Sequence, residues 1–387
     1  MVVITHLAPI PRADNAGQNF VTAQVRAWSR NWRVECLMLP GRSAREDLDA
    51  SLAPCSVIPV PLPDGPARLP RLVGRLRRWF PSLPDPLLGA ALRTDEHSRH
   101  LICSAEVVVL QWEDVAAQAR IIKRINPRAV TVAVLHDVMS QSHGRYARHW
   151  PETRQRLRQW VAAHVARLVE RHIARHADRI LVLSRKDAEL LPASSRHKVR
   201  VVPPPVAVPA DPRRRPEPGR IVLVSSWRQE NTHGLSWFAS EVLPIVRAAG
   251  QDVTIDLVGS NLTGERARRL EQQGFTIRGF VDDLDAVYAE AALTVVPLWL
   301  GAGVKFKVVE ALLHAVPIVT TTVGAEGIDA LSDRANVTDD AQAFAAQMIR
   351  ALTHPAEAEA EAAALRHQVL RDFHPDTITA ALDAVLE

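Results

Sequence analysis

The sequence predicts an α/β protein of two Rossmann-like domains, each a doubly wound parallel sheet covered by helices, facing each other across a cleft. Its 387 residues exceed the size at which one hydrophobic core keeps growing. Short apolar runs alternate with longer segments of helical period, which is typical of parallel strands covered by helices. A segment with seven prolines, residues 203–218, separates two such series.

The domain boundaries follow from that proline-rich segment. Proline at this density continues neither a helix nor a central strand, so we interpret the segment as a stiff linker. We predict an N-terminal domain over residues 1–205, the linker over 206–218 and a C-terminal domain over 219–365. The Ala- and Glu-rich tail is predicted to end in a helix over residues 366–387 that crosses back toward the N-terminal domain.

Eleven apolar runs have the length and composition of buried strands. In the first half they cover residues 2–6, 34–39, 57–60, 107–110, 129–135, 180–183 and 199–202. In the second half they cover 221–225, 253–258, 293–297 and 318–321, and the clearest helical segments are 152–176, 234–248, 262–272, 284–291 and 304–314. Because ligands of such sheets bind beyond the carboxyl ends of the strands, a site is expected there.

The charge is divided unevenly between the two halves. Up to Arg215 the chain has 34 lysines and arginines against 19 acidic residues, and after it 13 against 24. This asymmetry predicts an anionic partner for the first half, or it reflects solvated helix faces. The stretch RLPRLVGRLRRWF, residues 68–80, has an apolar face and predicts an interfacial helix on anionic lipid, with a cationic surface loop as the alternative. Its cations are Arg68, Arg71, Arg75, Arg77 and Arg78.

The sequence lacks the motifs that define several classes of protein. There is no GxxxxGK[ST], HExxH, EF-hand loop or GxSxG, and no nucleic-acid-binding motif accompanies the basic half. Cys36, Cys55 and Cys103 show neither CxxC spacing nor a disulfide framework, which predicts a reducing compartment and no metal site. Without a signal peptide or a long apolar run, we expect a cytoplasmic protein that is at most peripheral on the inner face of a membrane.

The segment PLWLGAGVKFKVVEALLHAVPIVTTTVGAEGI, residues 297–328, carries the clearest chemistry. A buried strand ends at Pro297, a turn of Gly301, Ala302 and Gly303 follows, and a helix is predicted to begin near Val304. Glycines before a helix let backbone N–H groups approach an anion, which the helix dipole also favours. The turn is therefore predicted to hold a phosphate.

Two lysines follow in the first turn of that helix. The helix dipole disfavours cations there unless an anion is bound, so Lys305 and Lys307 predict a bound anion. Glu310 lies three residues after Lys307 on the same helix face, where a carboxylate can accept hydrogen bonds from ribose hydroxyls. The alternative is a solvated amphipathic helix with an incidental Lys–Glu pair.

At these residues the sequence resembles the retaining GT-B glycosyltransferases of family 4, in the exopolysaccharide-type branch. GAGVKFKVVEAL followed by PIVTTTVGAEGI is similar to their donor-site signature. SSWRQEN from Ser225, DLVG from Asp256 and RGFVD from Arg278 resemble the strand ends and loops around that site. In the first half, HD from His136 and ADRILVLS from Ala177 also fit, and the resemblance is specific over residues 220–330 and looser before.

The resemblance implies a nucleotide-sugar donor bound mainly by the second half. Glu310 would bind the ribose, and Lys307 with Lys305 the diphosphate. His136, from the first half, would reach the transferred sugar, so His136, Lys307 and Glu310 are the implied catalytic residues. The reaction would need no metal and no cofactor, since cations and the helix dipole stabilise the leaving diphosphate. The other implied donor-binding residues are Arg228, Arg278, Phe280, Gly301, Ala302 and Gly303.

Within that set, Arg278 and Phe280 would flank the base, and the glycine turn would act through its backbone. Two positions depart from the family pattern: Ala302 stands where the motif has its first glutamate, and Arg228 is the nearest substitute for a missing cation after the first strand. A third departure is in the acceptor or phosphate loop near the N-terminus, where the family has two glycines. Its counterparts here are Asn15, Ala16 and Gly17.

The sequence thus predicts a retaining glycosyltransferase of hexosyltransferase type. It would move a sugar from a nucleotide sugar to a polysaccharide or lipid-linked glycan intermediate, in polysaccharide biosynthesis. A nucleotide-sugar epimerase of the same fold is one alternative. A catalytically inactive nucleotide-sugar-binding or scaffold protein is the other, and Ala302 is the residue that favours it.

Overall fold

The computed structural model describes residues 1–7, 9, 16–38, 55–61, 76–77, 79–150, 152–209 and 212–386. These residues form two α/β units, the first made of Met1–Pro205 and Pro375–Glu387, and the second of Val206–His374. Their sheets have seven and five strands, and every strand pair is parallel. The predicted fold class, two doubly wound parallel-sheet domains, is confirmed.

The sheet of the first unit has the order β3-β2-β1-β4-β5-β6-β7. Its central strands are continuous apolar runs because helices cover both faces of a parallel sheet. The direction of winding reverses between β1 and β4, which makes their carboxyl ends the expected ligand crevice. The strands are β1 (Val2–Thr5), β2 (Glu35–Met38), β3 (Ser56–Pro59), β4 (Val107–Gln111), β5 (Val130–Leu135), β6 (Arg179–Val182) and β7 (Val199–Val201).

The helices of the first unit include one from the end of the chain, α16, which packs against α1. The indole Nε1 of Trp28 donates to the carbonyl of Leu382 at 3.4 Å, and Arg179 donates to the carbonyl of Val385. The helices are α1 (Ala16–Trp28), α2 (Pro86–Thr94), α3 (Glu96–Ser104), α4 (Glu113–Ala116), α5 (Ala119–Ile125), α6 (Met139–His149), α7 (Thr153–His176), α8 (Arg185–Leu190) and α16 (Pro375–Ala384), with a 3-10 turn over Ala193–Lys198.

The sheet of the second unit has the order β10-β9-β8-β11-β12, so its winding reverses between β8 and β11. The strands are β8 (Arg220–Val224), β9 (Thr254–Val258), β10 (Phe275–Gly279), β11 (Leu293–Val296) and β12 (Ile318–Thr320). The helices are α9 (Gln229–Trp237), α10 (Leu243–Ala248), α11 (Glu265–Gln272), α12 (Leu284–Glu290), α13 (Phe306–Leu313), α14 (Ala341–Thr353) and α15 (Pro355–Phe373), with a 3-10 turn over Asp329–Leu331.

Two elements of the second unit differ from the prediction. The helix predicted over residues 234–248 is two helices joined by a π-helical turn, Phe238–Val242. Pro244, which follows that turn, has no amide hydrogen for the helical ladder, so the ladder changes register there. β10 was absent from the predicted apolar runs because it lies at the sheet edge and its side chains alternate between buried and exposed.

The predicted tail helix and the cysteines are also described. The helical tail, predicted to be interrupted near His374 and Pro375, is divided there: α15 runs to Phe373 in the second unit and α16 begins at Pro375 in the first. Cys36 in β2 and Cys55 directly before β3 are free thiols, with their Sγ atoms 3.2 Å apart. Within the described ranges, no cluster of metal-ligating side chains occurs and no helix is both long and apolar enough to cross a membrane.

Candidate functional site

The strongest candidate site lies at the carboxyl edge of the second sheet, where its winding reverses between β8 and β11. The loop after β11 contains Gly301 with φ 95° and Gly303 with φ 68°, a left-handed conformation that favours glycine. Helix α13 begins directly after this loop, at Phe306 rather than near Val304. The backbone thus forms the glycine turn before a helix start that the sequence predicts.

Lys305 holds this turn together. Its ammonium Nζ donates to the carbonyl of Ala302 at 2.9 Å and to that of Gly303 at 2.6 Å. It is the N-cap residue of α13, and its side chain makes no cap hydrogen bond to the helix. Lys305 was predicted to face an anion with Lys307, but in the structure it folds back onto the loop carbonyls.

Lys307 connects the segment after β11 to the segment after β8. Its ammonium donates to the side-chain oxygen of Asn231 at 2.9 Å. The amide nitrogen of Asn231 in turn donates to the carbonyl and hydroxyl oxygens of Ser226, both at 3.2 Å. Ser226 follows β8 and Asn231 lies in the first turns of α9, so the loop after β8 orients the lysine that begins α13.

Burial perturbs the ammonium of Lys307. Desolvation lowers its pKa to about 8, while the nearby carboxylate of Glu230 opposes the shift and the ammonium of Lys305 adds to it. The hydrogen-bond partner of Lys307 is a neutral amide, and Glu230 itself pairs with Arg228 at 2.7 Å. A desolvated cation whose hydrogen-bond partner is neutral is suited to bind an anion, because an anion would restore the lost stabilisation.

Glu310 lies one helical turn further along α13. Burial raises the pKa of its carboxyl group, and Lys307 and His314 oppose that rise. Among the described residues its carboxylate has no hydrogen-bond partner, so the incidental Lys–Glu pair of the alternative interpretation does not form. Helix α13 is also held by a residue of α12, because the buried Tyr288 donates its hydroxyl to the carbonyl of Lys307 at 3.3 Å.

The other residues predicted for the second unit lie further out. Arg228 is 78% exposed and is paired with Glu230. Arg278, at the end of β10, reaches the buried carboxylate of Asp256 with 3.6 Å between Nη1 and Oδ2. Phe280 follows directly and is 69% exposed, which is unusual for a phenylalanine side chain.

His136 belongs to the first unit and follows β5. Its ring stacks on that of Trp112 with centroids 4.5 Å apart, and the edge of Phe20 meets it at 5.1 Å. Its Nε2 donates to the side-chain oxygen of Gln111 at 3.0 Å, and burial lowers its pKa to about 3. His136 is therefore a neutral hydrogen-bonding group at physiological pH and not a cation.

Sequence reasoning missed a second group at the carboxyl edge of the first sheet. Nε2 of His6, just after β1, lies 2.8 Å from Oδ2 of Asp114, just after β4. Arg77 donates to the same oxygen at 2.8 Å. Trp112 between them has φ 67°, which is rare for so large a side chain. The signal that could have found them is their position at the ends of the two strands that flank the first switch point.

The structure corrects the prediction that Arg77 contacts a membrane. It bonds both Asp85 and Asp114 and is only 22% exposed, so its charge is used inside the first unit. The other four cations of that prediction and Asn15 lie outside the described residues. Ala16 and Gly17 begin helix α1, and their predicted role in an acceptor or phosphate loop stays a prediction.

Comparison with family models finds a match within the second unit. Residues 218–354 match the family described as Glycosyl transferases group 1. A search of curated proteins finds no match. Residues 218–354, which lie in the second unit, are therefore similar to the group 1 glycosyltransferase family.

Solved structures extend the likeness to the whole chain. Anabaena HepE in complex with UDP and glucose is 16% identical, with a TM-score of 0.64, and the match covers 100% of this chain and 98% of that one. Sucrose-phosphate synthase from Thermosynechococcus elongatus is 16% identical over the same shares, with a TM-score of 0.69. WaaG, a glycosyltransferase involved in lipopolysaccharide biosynthesis, is 14% identical, with a TM-score of 0.61, over 100% of this chain and 99% of WaaG. The protein has the GT-B fold.

Proposed function

We propose that the protein is a glycosyltransferase that transfers a hexose from a nucleotide sugar to a glycan or lipid-linked acceptor in polysaccharide biosynthesis. The observation that carries the proposal is Lys307, a desolvated ammonium beside a positive-φ glycine turn and a helix start at the switch point of the second sheet. The family match over residues 218–354 includes all of these residues and supports the same reading.

In the proposed mechanism the second unit stabilises the leaving nucleoside diphosphate. The ammonium of Lys307 and the start of α13 meet the charge that develops as the sugar–phosphate bond breaks. Glu310, whose carboxylate has no hydrogen-bond partner among the described residues, accepts from the ribose hydroxyls. We propose retention of configuration and no metal requirement, because protein cations at the diphosphate can take the part that a metal ion would otherwise play.

Two further groups complete the proposed site. Arg278 and the exposed ring of Phe280 flank the base, since an exposed aromatic face is a suitable stacking surface. His136 contacts the transferred sugar as a neutral hydrogen-bonding group, consistent with the low pKa that burial gives it. The cytoplasmic location and the contact with the inner face of a membrane remain part of the proposal.

Thermal-shift measurements with UDP-, GDP-, ADP- and dTDP-sugars test the proposal directly. A ligand that binds only the folded state raises the free energy of unfolding by mass action, by about 2.7 kcal/mol at a hundredfold excess over Kd, and so raises the melting temperature. UDP-glucose is the first donor to try, because structural neighbours were solved with UDP and UDP-glucose. We expect at least one nucleotide sugar to raise the melting temperature of the wild type, and Glu310→Ala to remove that shift.

Arg266→Ala is a matched control for that variant, because Arg266 is an exposed residue of α11 in the same unit. If both Lys307→Ala and Glu310→Ala keep the full shift, the site assignment is wrong. Product analysis then separates the functions: a new glycosidic bond supports transfer, an epimerised sugar supports the epimerase, and binding without turnover supports the inactive binding protein that Ala302 favours.

Donor affinity is expected to fall as the pH rises above about 8. The ammonium of Lys307 is present below its pKa of about 8, and a bound diphosphate favours that charged form. Above pH 8, binding must take up a proton, so affinity drops by up to about tenfold per pH unit. Titration calorimetry with UDP from pH 7 to 9.5, in two buffers of different ionisation enthalpy, measures both the affinity and the proton uptake.

The stability of the free protein should move in the opposite direction. The folded pKa of Lys307 lies below its ordinary value of 10.5, so the unfolded chain binds more protons between about pH 8 and 10.5. Lys307 therefore contributes a rise in stability with pH over that window. The outcome of the affinity measurement is separate from this stability effect: if the affinity for UDP stays constant from pH 7 to 9.5, Lys307 does not contact the diphosphate.

A further inference from the structure

Helix α7 has apolar side chains on the face that points to solvent. Leu157 and Leu168 are each 62% exposed and Trp160 is 55% exposed. A helix packed on one side needs apolar residues on that side only. The packed side of α7 already has its own apolar residues, so packing does not account for the exposed ones. Its buried residues include Ala162, Ala163, Ala166, Val169, Ile173 and Ala174.

Arginines are interleaved with these exposed apolar residues. Four exposed arginines, at positions 154, 167, 171 and 175, recur at helical spacing on the same face as Leu157 and Leu168. The only acidic residue within α7 is Glu170, which is buried and accepts hydrogen bonds from Ser140. The face, defined as Arg154, Leu157, Trp160, Arg167, Leu168, Arg171 and Arg175 and called the Trp160 face, is cationic and apolar without a carboxylate.

The end of the basic segment adjoins this helix. The guanidinium of Arg158 lies 4.6 Å from the ring centroid of Trp79, a cation–π contact that ties residue 79 to α7. Trp79 is 46% exposed, so it adds apolar area beside Arg158 of α7. Leu76, three residues earlier, is also exposed, at 42%.

We propose that the Trp160 face lies on the surface of an anionic lipid bilayer. Its apolar side chains would enter the headgroup region and its arginines would contact lipid phosphates, as in interfacial amphipathic helices. The 24 residues of α7 give a contact line of about 36 Å. The inference deepens the proposed function by naming the surface that presents the acceptor, and for that role it rests on the proposed function.

The charge pattern favours a bilayer over other occupants. A second copy of the chain would set arginines against arginines across a symmetric interface, which is repulsive. A bilayer with anionic headgroups offers negative charge along the whole length of the face and an apolar layer beneath it. Each arginine near such a surface contributes about 1 kcal/mol, which is about fivefold in partitioning.

Vesicle co-sedimentation of the full chain tests the proposal. Vesicles of phosphatidylcholine with about a third phosphatidylglycerol are expected to pellet the protein at low salt, and phosphatidylcholine vesicles to pellet much less. Binding should weaken as NaCl rises, because salt screens exposed charges. The assay contains no nucleotide sugar, so its outcome is independent of donor binding.

Two double variants separate the apolar and the charge contributions. Leu157→Gln with Leu168→Gln, and Arg167→Gln with Arg171→Gln, are each expected to reduce partitioning at least tenfold. Arg266→Gln with Arg268→Gln on α11 is the matched control, with two exposed arginines on the second unit, and should bind like the wild type. All four substituted positions of the face are exposed, so unchanged melting temperatures will show that the fold is intact.

Three results would overturn the proposal. The first is absence of binding to anionic vesicles, and the second is equal loss in the Arg266/Arg268 control. The third is a concentration-dependent dimer that the Leu157/Leu168 variant abolishes, which would assign the face to a second copy of the chain. A donor-induced thermal shift that persists in any of these three cases would leave the proposed transferase function standing.

Discussion

Replacing Lys307 with alanine is expected to abolish the donor-induced thermal shift and to lower kcat/KM by about 10²–10³-fold, the usual cost of one preorganised electrostatic group at a developing anion. The lysine is the group at the switch point whose charge is desolvated, and its oxygen partner on Asn231 is neutral. Both features make its interaction with a diphosphate stronger than that of an exposed lysine. Nucleotide titration and steady-state kinetics of the variant measure the loss.

Lys307→Met serves as the matched variant, because it keeps most of the length of the side chain and removes its charge and its hydrogen-bond donors. It should lose the donor-induced thermal shift like the alanine variant. The free protein should not be destabilised much by either change, since the desolvation cost of the ammonium is removed together with its hydrogen bond to Asn231. Tight UDP binding by Lys307→Met would contradict the assigned role of the ammonium.

The fold was predictable because buried parallel strands produce continuous apolar runs. Val107–Gln111 is buried at every position, and Val130–Leu135 at all but the first. Such runs are visible without knowledge of any neighbour. Phe275–Gly279 was not, because an edge strand buries alternate side chains and its polar positions interrupt the run.

The candidate site was predictable in its backbone but not in its side-chain partners. The glycines and the helix start are local features, and the structure forms them close to the predicted positions. Spacing on a helix favours a Lys307–Glu310 pair, yet the ammonium bonds Asn231, 76 residues away in the chain. A contact between separate strand–helix turns depends on tertiary packing, which no local pattern encodes.

The same limit explains His6 and Asp114. Each stands at the end of an apolar run, but their contact crosses 108 residues and depends on β1 and β4 being neighbours in the sheet. Strand order is not contained in apolar periodicity. The prediction of a ligand site at the strand ends was general enough to include them, and it did not name them.

Gly234→Ala is expected to destabilise the second unit by about 2 kcal/mol and to impair the site as well. A Cβ on Gly234 would lie 1.6 Å from the carbonyl oxygen and 2.8 Å from the carbonyl carbon of Pro297. In an open helix, alanine in place of glycine stabilises by about 1 kcal/mol. A backbone carbonyl has no rotamer by which to move aside, so the overpacking cost of about 3 kcal/mol outweighs that gain.

Gly144→Ala is the matched control, because a Cβ at Gly144 in α6 would meet no atom within 4 Å. That variant should gain up to about 1 kcal/mol, and thermal unfolding should therefore shift the two variants in opposite directions. A Gly234→Ala protein as stable as Gly144→Ala would show that α9 and the end of β11 are further apart than the structure has them.

The position of Gly234 ties stability to the site. The clash would push apart α9, which presents Asn231 to Lys307, and Pro297, which leads into the turn at Gly301 and Gly303. Relief of the clash moves either Asn231 or the glycine turn. Donor affinity should therefore fall even well below the melting temperature, and the donor-induced thermal shift should shrink with it. A variant that is destabilised but keeps the full donor shift would mean that the diphosphate site does not depend on this close approach.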